Sequence, residues 1–216
     1  MSSILCFGDS NTWGLCPASG QRLSKEQRWP CVLETLLNQS SLTQGVEVIE
    51  AGLPNRTLLR QCAFSEAHAG RHSLLNLLHQ HQPKYIVIML GTNDLKAKYH
   101  YQPADFTLGL DSLLSQIFAF YREHFSFTIK LVVLAPLAPL PVGQYQRIYA
   151  GAADKLPEVI AGFAKVCEQY QINFIDSNQF VGACPNEGVH LSAAQHQRLA
   201  EVIVPLFDKS VADEPM

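Results

Sequence analysis

Ile4-Leu-Cys-Phe-Gly-Asp-Ser-Asn-Thr-Trp-Gly14 is the stretch whose reading decides the fold. Four apolar residues, Ile4 to Phe7, predict a short buried strand, and the apolar run stops at Gly8-Asp9-Ser10. A strand that runs straight into Gly-Asp-Ser lifts a hydroxyl off the end of a sheet, on a turn that glycine makes sterically possible. Serine is a weak nucleophile until a base takes its proton. Such a serine needs a histidine, a carboxylate to orient that histidine, and donors for the oxyanion that develops.

Outward from this stretch, strands and helices alternate. Apolar residues at helical spacing over Gln27 to Asn38 (Val32, Leu33, Leu36, Leu37) predict a helix, with Pro30 tolerated near its start. Val46-Glu-Val-Ile49 alternates and predicts a second strand, closed by the turn-rich Glu50-Ala-Gly-Leu-Pro-Asn-Arg56. Ser73 to His81 predicts a helix that stops before Pro83. Tyr85-Ile-Val-Ile-Met-Leu90 is apolar throughout, as a parallel strand covered on both faces should be. Pro103 to Phe125, Lys130 to Ala135, Ala152 to Tyr170 and Ile172 to Ile175 continue the alternation as helix, strand, helix and strand. Ser192 can cap a last helix through Phe207, and Val211 to Met216 is expected to fray.

This pattern implies a three-layer α/β/α sandwich, a parallel sheet with helices on both faces. Five strands favour the flavodoxin-like order 2-1-3-4-5, with the ligand crevice between the carboxyl ends of the first and third strands. Those two ends carry Ser10 and Asn93. Topology and polar residues therefore point to one place.

His190, between Val189 and Leu191, is the candidate base; alone, a histidine in apolar company is more often a structural residue. Glu187 changes that reading. Three residues before the histidine in a short turn, it can meet the ring nitrogen remote from the serine, fixing the tautomer and stabilising the imidazolium. Asp176, at the end of the fifth strand, is a reserve orienting carboxylate. Gly52 and Asn93 are candidate oxyanion contacts, a turn glycine and a capping asparagine being the alternatives. Asp9 suits turn-stabilising hydrogen bonds, and Asp94 a cap. Trp13 and Trp29 are candidates for lining the pocket or for the core, and Lys98 for contacting substrate, along with Tyr99 and His100.

The 216 residues, 47% hydrophobic, suit a single domain with a full core. A net charge of −3 gives no sign of nucleic acid or an anionic membrane as partner. No segment approaches the roughly 20 apolar residues that span a bilayer. The eight histidines are scattered, with His79 and His81 expected on a solvated helix end. Cys6, Cys16, Cys31, Cys62, Cys167 and Cys184 show no metal-ligand spacing. With no basic and apolar leader ahead of Gly8, reduced thiols and a cytoplasmic location are expected.

Gly8-Asp9-Ser10, Gly52, Gly91-Thr92-Asn93-Asp94 and Gly188-Val189-His190 resemble, in order and spacing, the four signature blocks of the SGNH (GDSL) hydrolase family. The similarity runs from about Ile4 to Phe207 and looks closest to the small arylesterase and acyltransferase branch. The resemblance implies that Ser10 is the nucleophile and His190 the general base. It implies an oxyanion hole from Asn93, Gly52 and the Ser10 N–H. It further implies a ping-pong acyl-enzyme cycle on a small ester without metal or cofactor, acyl transfer to alcohols or peroxide as well as water, and homo-oligomers that narrow the pocket towards short acyl chains. The sequence departs from the family at Glu187, where aspartate is usual. Glutamate is one methylene longer but still an acceptor.

Within the enzyme class, a carbohydrate O-deacetylase and a lysophospholipase or thioesterase compete with the small-ester hydrolase. The loops Thr92 to Pro103 and Pro136 to Tyr149 would separate them. From a different class, a catalytically silent binder could hold a phosphate in the same crevice. Such a cradle needs neither Asn93 nor His190, and the glycine-rich loop opening a helix is missing.

Overall fold

Residues 3–59 and 70–207 are described in the computed structural model. The strands are β1 (Ser3–Gly8), β2 (Glu47–Gly52), β3 (Tyr85–Met89), β4 (Lys130–Leu134) and β5 (Asn173–Ile175). All pair in parallel in the order β2-β1-β3-β4-β5, the expected flavodoxin-like topology. The helices are α1 (Ser10–Trp13), α2 (Trp29–Gln39), α3 (Gly70–His81), α4 (Pro103–His124), α5 (Tyr145–Ile148), α6 (Ala152–Gln169) and α7 (Ala193–Ile203).

The pleat of β1 explains the three layers. Leu5 and Phe7 point to one core, shared with Leu74 and Leu78 of α3, Leu110 and Leu114 of α4, and Val159 and Phe163 of α6. Ile4 and Cys6 point to the other, shared with Trp29, Leu33 and Leu37 of α2 and Leu199 and Ile203 of α7. Full burial of each such apolar side chain stabilises the fold by about 1.5–3 kcal/mol. The uninterrupted apolar runs of β1 and β3 thus follow from being covered on both faces.

The structure moves several boundaries: α2 begins at Trp29 instead of Gln27, and α7 ends at Ile203 instead of Phe207. β2 runs on through Glu50 and Ala51 to Gly52, residues that were expected to form a loop. Its pairing with β1 continues to Gly8↔Gly52, so the neighbouring strand fixes its length. α3 begins at Gly70, three residues ahead of the expected start. The two loops whose conformation the sequence left open contain short helical turns: 3₁₀ turns at Asn93–Leu95 and Ala97–Tyr99, and helix α5. Cys62 and the expected fraying tail lie outside the described residues. Among those described, no helix is long and apolar enough to cross a membrane.

Candidate active site

The ends of β1, β2 and β3 meet where the strand order reverses. Asp9 caps α1 by accepting the Asn11 N–H at 2.9 Å, which places Ser10 on the first turn of that helix. The backbone there lies against the end of β2. A Cβ built on Gly52 would sit 2.1 Å from the Trp13 nitrogen, so no side chain fits. Gly52 is therefore required by close approach, and not by the positive φ of a turn.

His190 reaches Ser10 from a turn 180 residues later in the chain. Its Nε2 lies 3.0 Å from Ser10 Oγ, and its Nδ1 2.7 Å from Glu187 Oε1. A carboxylate facing Nδ1 places the ring proton there and leaves Nε2 free to accept from the serine hydroxyl. The second oxygen of Glu187 accepts the N–H groups of Val189 (2.9 Å) and His190 (2.8 Å). Burial alone would raise the Glu187 carboxyl, but those two N–H groups and the facing imidazole hold it below its ordinary range. The longer side chain is accommodated: one oxygen serves the ring while the other ties the turn. Gly188 makes that turn possible, with φ +104°, a conformation that favours glycine.

Asn11 holds the two halves together. Its Nδ2 donates to Val189 O at 3.2 Å and its Oδ1 accepts the Leu191 N–H at 2.9 Å. Both amide ends thus grip the backbone on either side of His190. In the sequence, the position of Asn11 directly after the serine is the only local hint of this role.

Asn93 begins the 3₁₀ turn after β3. Its Nδ2 donates to Arg56 O at 3.1 Å and lies 3.5 Å from Asp9 Oδ2. The buried Arg56 guanidinium donates to Gly8 O and Ala51 O, tying together the ends of β1 and β2. Asp94 ties the segment after β2 instead of capping its own turn, accepting the N–H groups of Leu58 and Leu59 at 2.9 Å each. Burial raises the Asp9 carboxyl to about 6 and that of Asp94 to about 7, and lowers Arg56 to about 10. Asp176 stays away from the histidine: it caps its own turn by accepting the Asn178 N–H.

Ser10, Asn93 and His190 line one cleft of about 290 Å³, with Leu15, Tyr145, Ile148 and Tyr149 among its walls. Tyr145 stands edge-on to the His190 ring, 6.4 Å between centroids. Trp13, expected on the pocket wall, is not part of it: Arg22 lies over its ring at 5.2 Å and its backbone abuts Gly52. Trp29 is fully buried in the core against α7. Lys98 lies in a neighbouring depression; Lys96 is the lysine on the Ser10 cleft. Among the described residues, no cluster of three or more histidine, cysteine or acidic side chains could hold a metal ion.

Residues 6–198 match the model of the GDSL-like lipase/acylhydrolase family. The chain belongs to that family. The hydrolase also resembles solved structures over nearly its whole length. A carbohydrate acetylesterase from Sinorhizobium meliloti is 28% identical, with TM-score 0.86 and coverage of 97% of this chain and 100% of that one. The inhibitor-bound aryl esterase of M. smegmatis is 29% identical, with TM-score 0.85 and coverage of 98% and 100%. A second S. meliloti structure, a carbohydrate acetylesterase family member, is 23% identical with TM-score 0.86 over 99% and 100%, a likeness of fold. The comparison with curated proteins gives no match. Family and neighbours together make this hydrolase a carboxylic ester hydrolase.

Proposed function

We propose that the hydrolase cleaves small esters, aryl or short-acyl, through an acyl-enzyme on Ser10. The observation that carries the reading is the unbroken line from Ser10 Oγ to His190 to Glu187, 3.0 and 2.7 Å, at a cleft of about 290 Å³. A cleft of that size stands at the small end of ligand pockets, which suits a short acyl group.

In this reading His190 Nε2 takes the Oγ proton as Ser10 attacks the ester carbonyl, and Glu187 stabilises the imidazolium. The oxyanion is met by the Ser10 N–H, which has no acceptor among the described residues, by the Gly52 N–H, and by the Asn93 amide. Arg56 O fixes that amide, while its contact to Asp9, at 3.5 Å, is weak enough to yield one N–H to the oxyanion. His190 then protonates the departing alcohol. Water, or an acceptor alcohol, enters with His190 again as base and releases the acyl group.

An acetyl ester satisfies both neighbour names, aryl esterase and carbohydrate acetylesterase, and Tyr145 and Tyr149 offer an aromatic wall to either leaving group. The unpaired thiols of Cys6, Cys16, Cys31, Cys167 and Cys184 support a reducing, cytoplasmic setting. Initial rates on para-nitrophenyl esters of increasing acyl length, with an acetylated sugar alongside, test the proposal. The expected result is a maximum at acetate to butyrate that disappears in Ser10→Ala. A maximum at long chains would move the substrate class to lipids or thioesters, and equal rates for the two proteins would end the esterase reading.

A further inference from the structure

Beside the Ser10 cleft lies a second depression of about 560 Å³, lined by Lys96, Lys98, Gln144, Arg147 and Ile148. Lys96, Gln144 and Ile148 line both, so the two adjoin across these three side chains, as an outer groove and an inner cleft that holds Ser10. Three of the five side chains in the outer part are cations, in a chain whose net charge is −3.

Among the described residues no carboxylate lines the outer part, although the buried Asp9 and Asp94 further in offset part of the Lys96 charge. The acids of the site face inward: Asp9 and Asp94 are 1% exposed and bound to backbone N–H groups, and Glu187 is spent on His190 and its turn. Lys98 and Arg147 are exposed and have no carboxylate partner among the described residues. Among the described residues Lys96 Nζ has one hydrogen-bond partner, the neutral Asn55 Oδ1, at 3.0 Å. Burial, and then the neighbouring Lys98, push the Lys96 ammonium below its ordinary range. An oxyanion in the groove would relieve that repulsion. Arg147 offers it a planar fork and the lysines offer point charges.

We propose that the groove takes the end of the ester remote from the scissile carbonyl, on the alcohol or the acyl side, and that this end carries an oxyanion: a carboxylate, phosphate or sulfate. The inference rests on the reading of Ser10 as nucleophile and narrows its substrate class to anionic small esters. The cations act by attraction and orientation, so the effect falls on kcat/KM and is sensitive to salt.

Two matched pairs test it: meta-acetoxybenzoate against meta-acetoxybenzamide, with the charge in the alcohol half, and para-nitrophenyl hemisuccinate against para-nitrophenyl butyrate, with the charge in the acyl half. Each kcat/KM is normalised to the ester's own hydroxide-catalysed rate. In one of the pairs the anion is favoured about tenfold at low salt. That ratio falls towards one in about 0.5 M salt and in the double variant Lys98→Gln, Arg147→Gln, while Lys98→Glu inverts it. Thermal melting of each variant shows that it is folded. Ratios at or below one in both pairs would overturn the proposal, as would a preference that neither salt nor the variants reduce. If no ester shows turnover that depends on Ser10, the esterase reading falls first and takes this inference with it.

Discussion

Two histidines six residues apart, both buried, do opposite things. His190 sits on the turn before α7 with a partner on each nitrogen, a carboxylate on one side and a hydroxyl on the other. His196, in the first turn of α7, is 0% exposed and uses Nδ1 to accept the Trp29 N–H at 3.2 Å; its Nε2 has no partner among the described residues. Burial, then the charges of His190 and Arg28, lowers His196 to about 4, so it stays neutral and joins α7 to the buried Trp29 N–H at the start of α2. Burial alone therefore does not make a histidine a base. In the proposed mechanism a carboxylate on the far nitrogen and a transferable proton on the near one do.

The contrast breaks first at His190. His190→Ala is expected to lower kcat by about 10⁴- to 10⁶-fold with a melting temperature close to wild type, whereas His196→Gln should lower the melting temperature and leave kcat within a few-fold. Steady-state rates and thermal melts on both variants check this. Glu187→Gln comes next. Its amide cannot stabilise the imidazolium, and kcat should fall about 10²- to 10⁴-fold, with Glu187→Asp intermediate because the shorter side chain must reach the same nitrogen. Equal activity of Glu187→Gln and wild type would reduce the site to a Ser-His dyad.

Asn11→Ala sharpens the comparison at smaller scale. Releasing the backbone at Val189 and Leu191 lets the His190 turn drift, at an expected cost of about 10- to 100-fold in kcat. The smallest effect is on the pH dependence of stability. His196 has a folded value of about 4 against an ordinary 6.5, so the unfolded chain binds its proton first as pH falls. Stability from this group is complete above pH about 6.5 and is lost towards pH about 4, by roughly 3 kcal/mol in all. Asp9 and Asp94, raised on folding, act in the opposite direction over the same range. Denaturant midpoints measured for wild type and His196→Gln at several pH values, and subtracted, isolate the histidine. A difference that does not grow on acidification would show that His196 is not held neutral.

Much of this contrast could be read in the chain. Ser10, Asn93 and Gly52 stand at strand ends because buried parallel strands need apolar runs that stop abruptly, and such stops are visible. Glu187 and His190 are three residues apart, so their pairing is local. Asn11, Arg56 and Lys96 were hidden for the opposite reason: each acts on backbone or side chains far away in sequence, and no local pattern marks them. Trp13 was misplaced because an aromatic beside a nucleophile gives no sign of which way its ring turns, and Arg22 decides that from across a loop. The extent of β2 was underestimated because its last residues, Glu50-Ala-Gly52, lack strand propensity of their own and extend only by pairing with β1.

The central claim is that His190 and Glu187 activate Ser10. Covalent labelling by a fluorophosphonate, followed by intact and peptide mass measurement, tests it most directly. One adduct on Ser10 is expected, forming at near wild-type rate in His196→Gln and about 10³-fold more slowly in His190→Ala. Labelling at equal rates in all three proteins, or on a residue other than Ser10, would contradict the account.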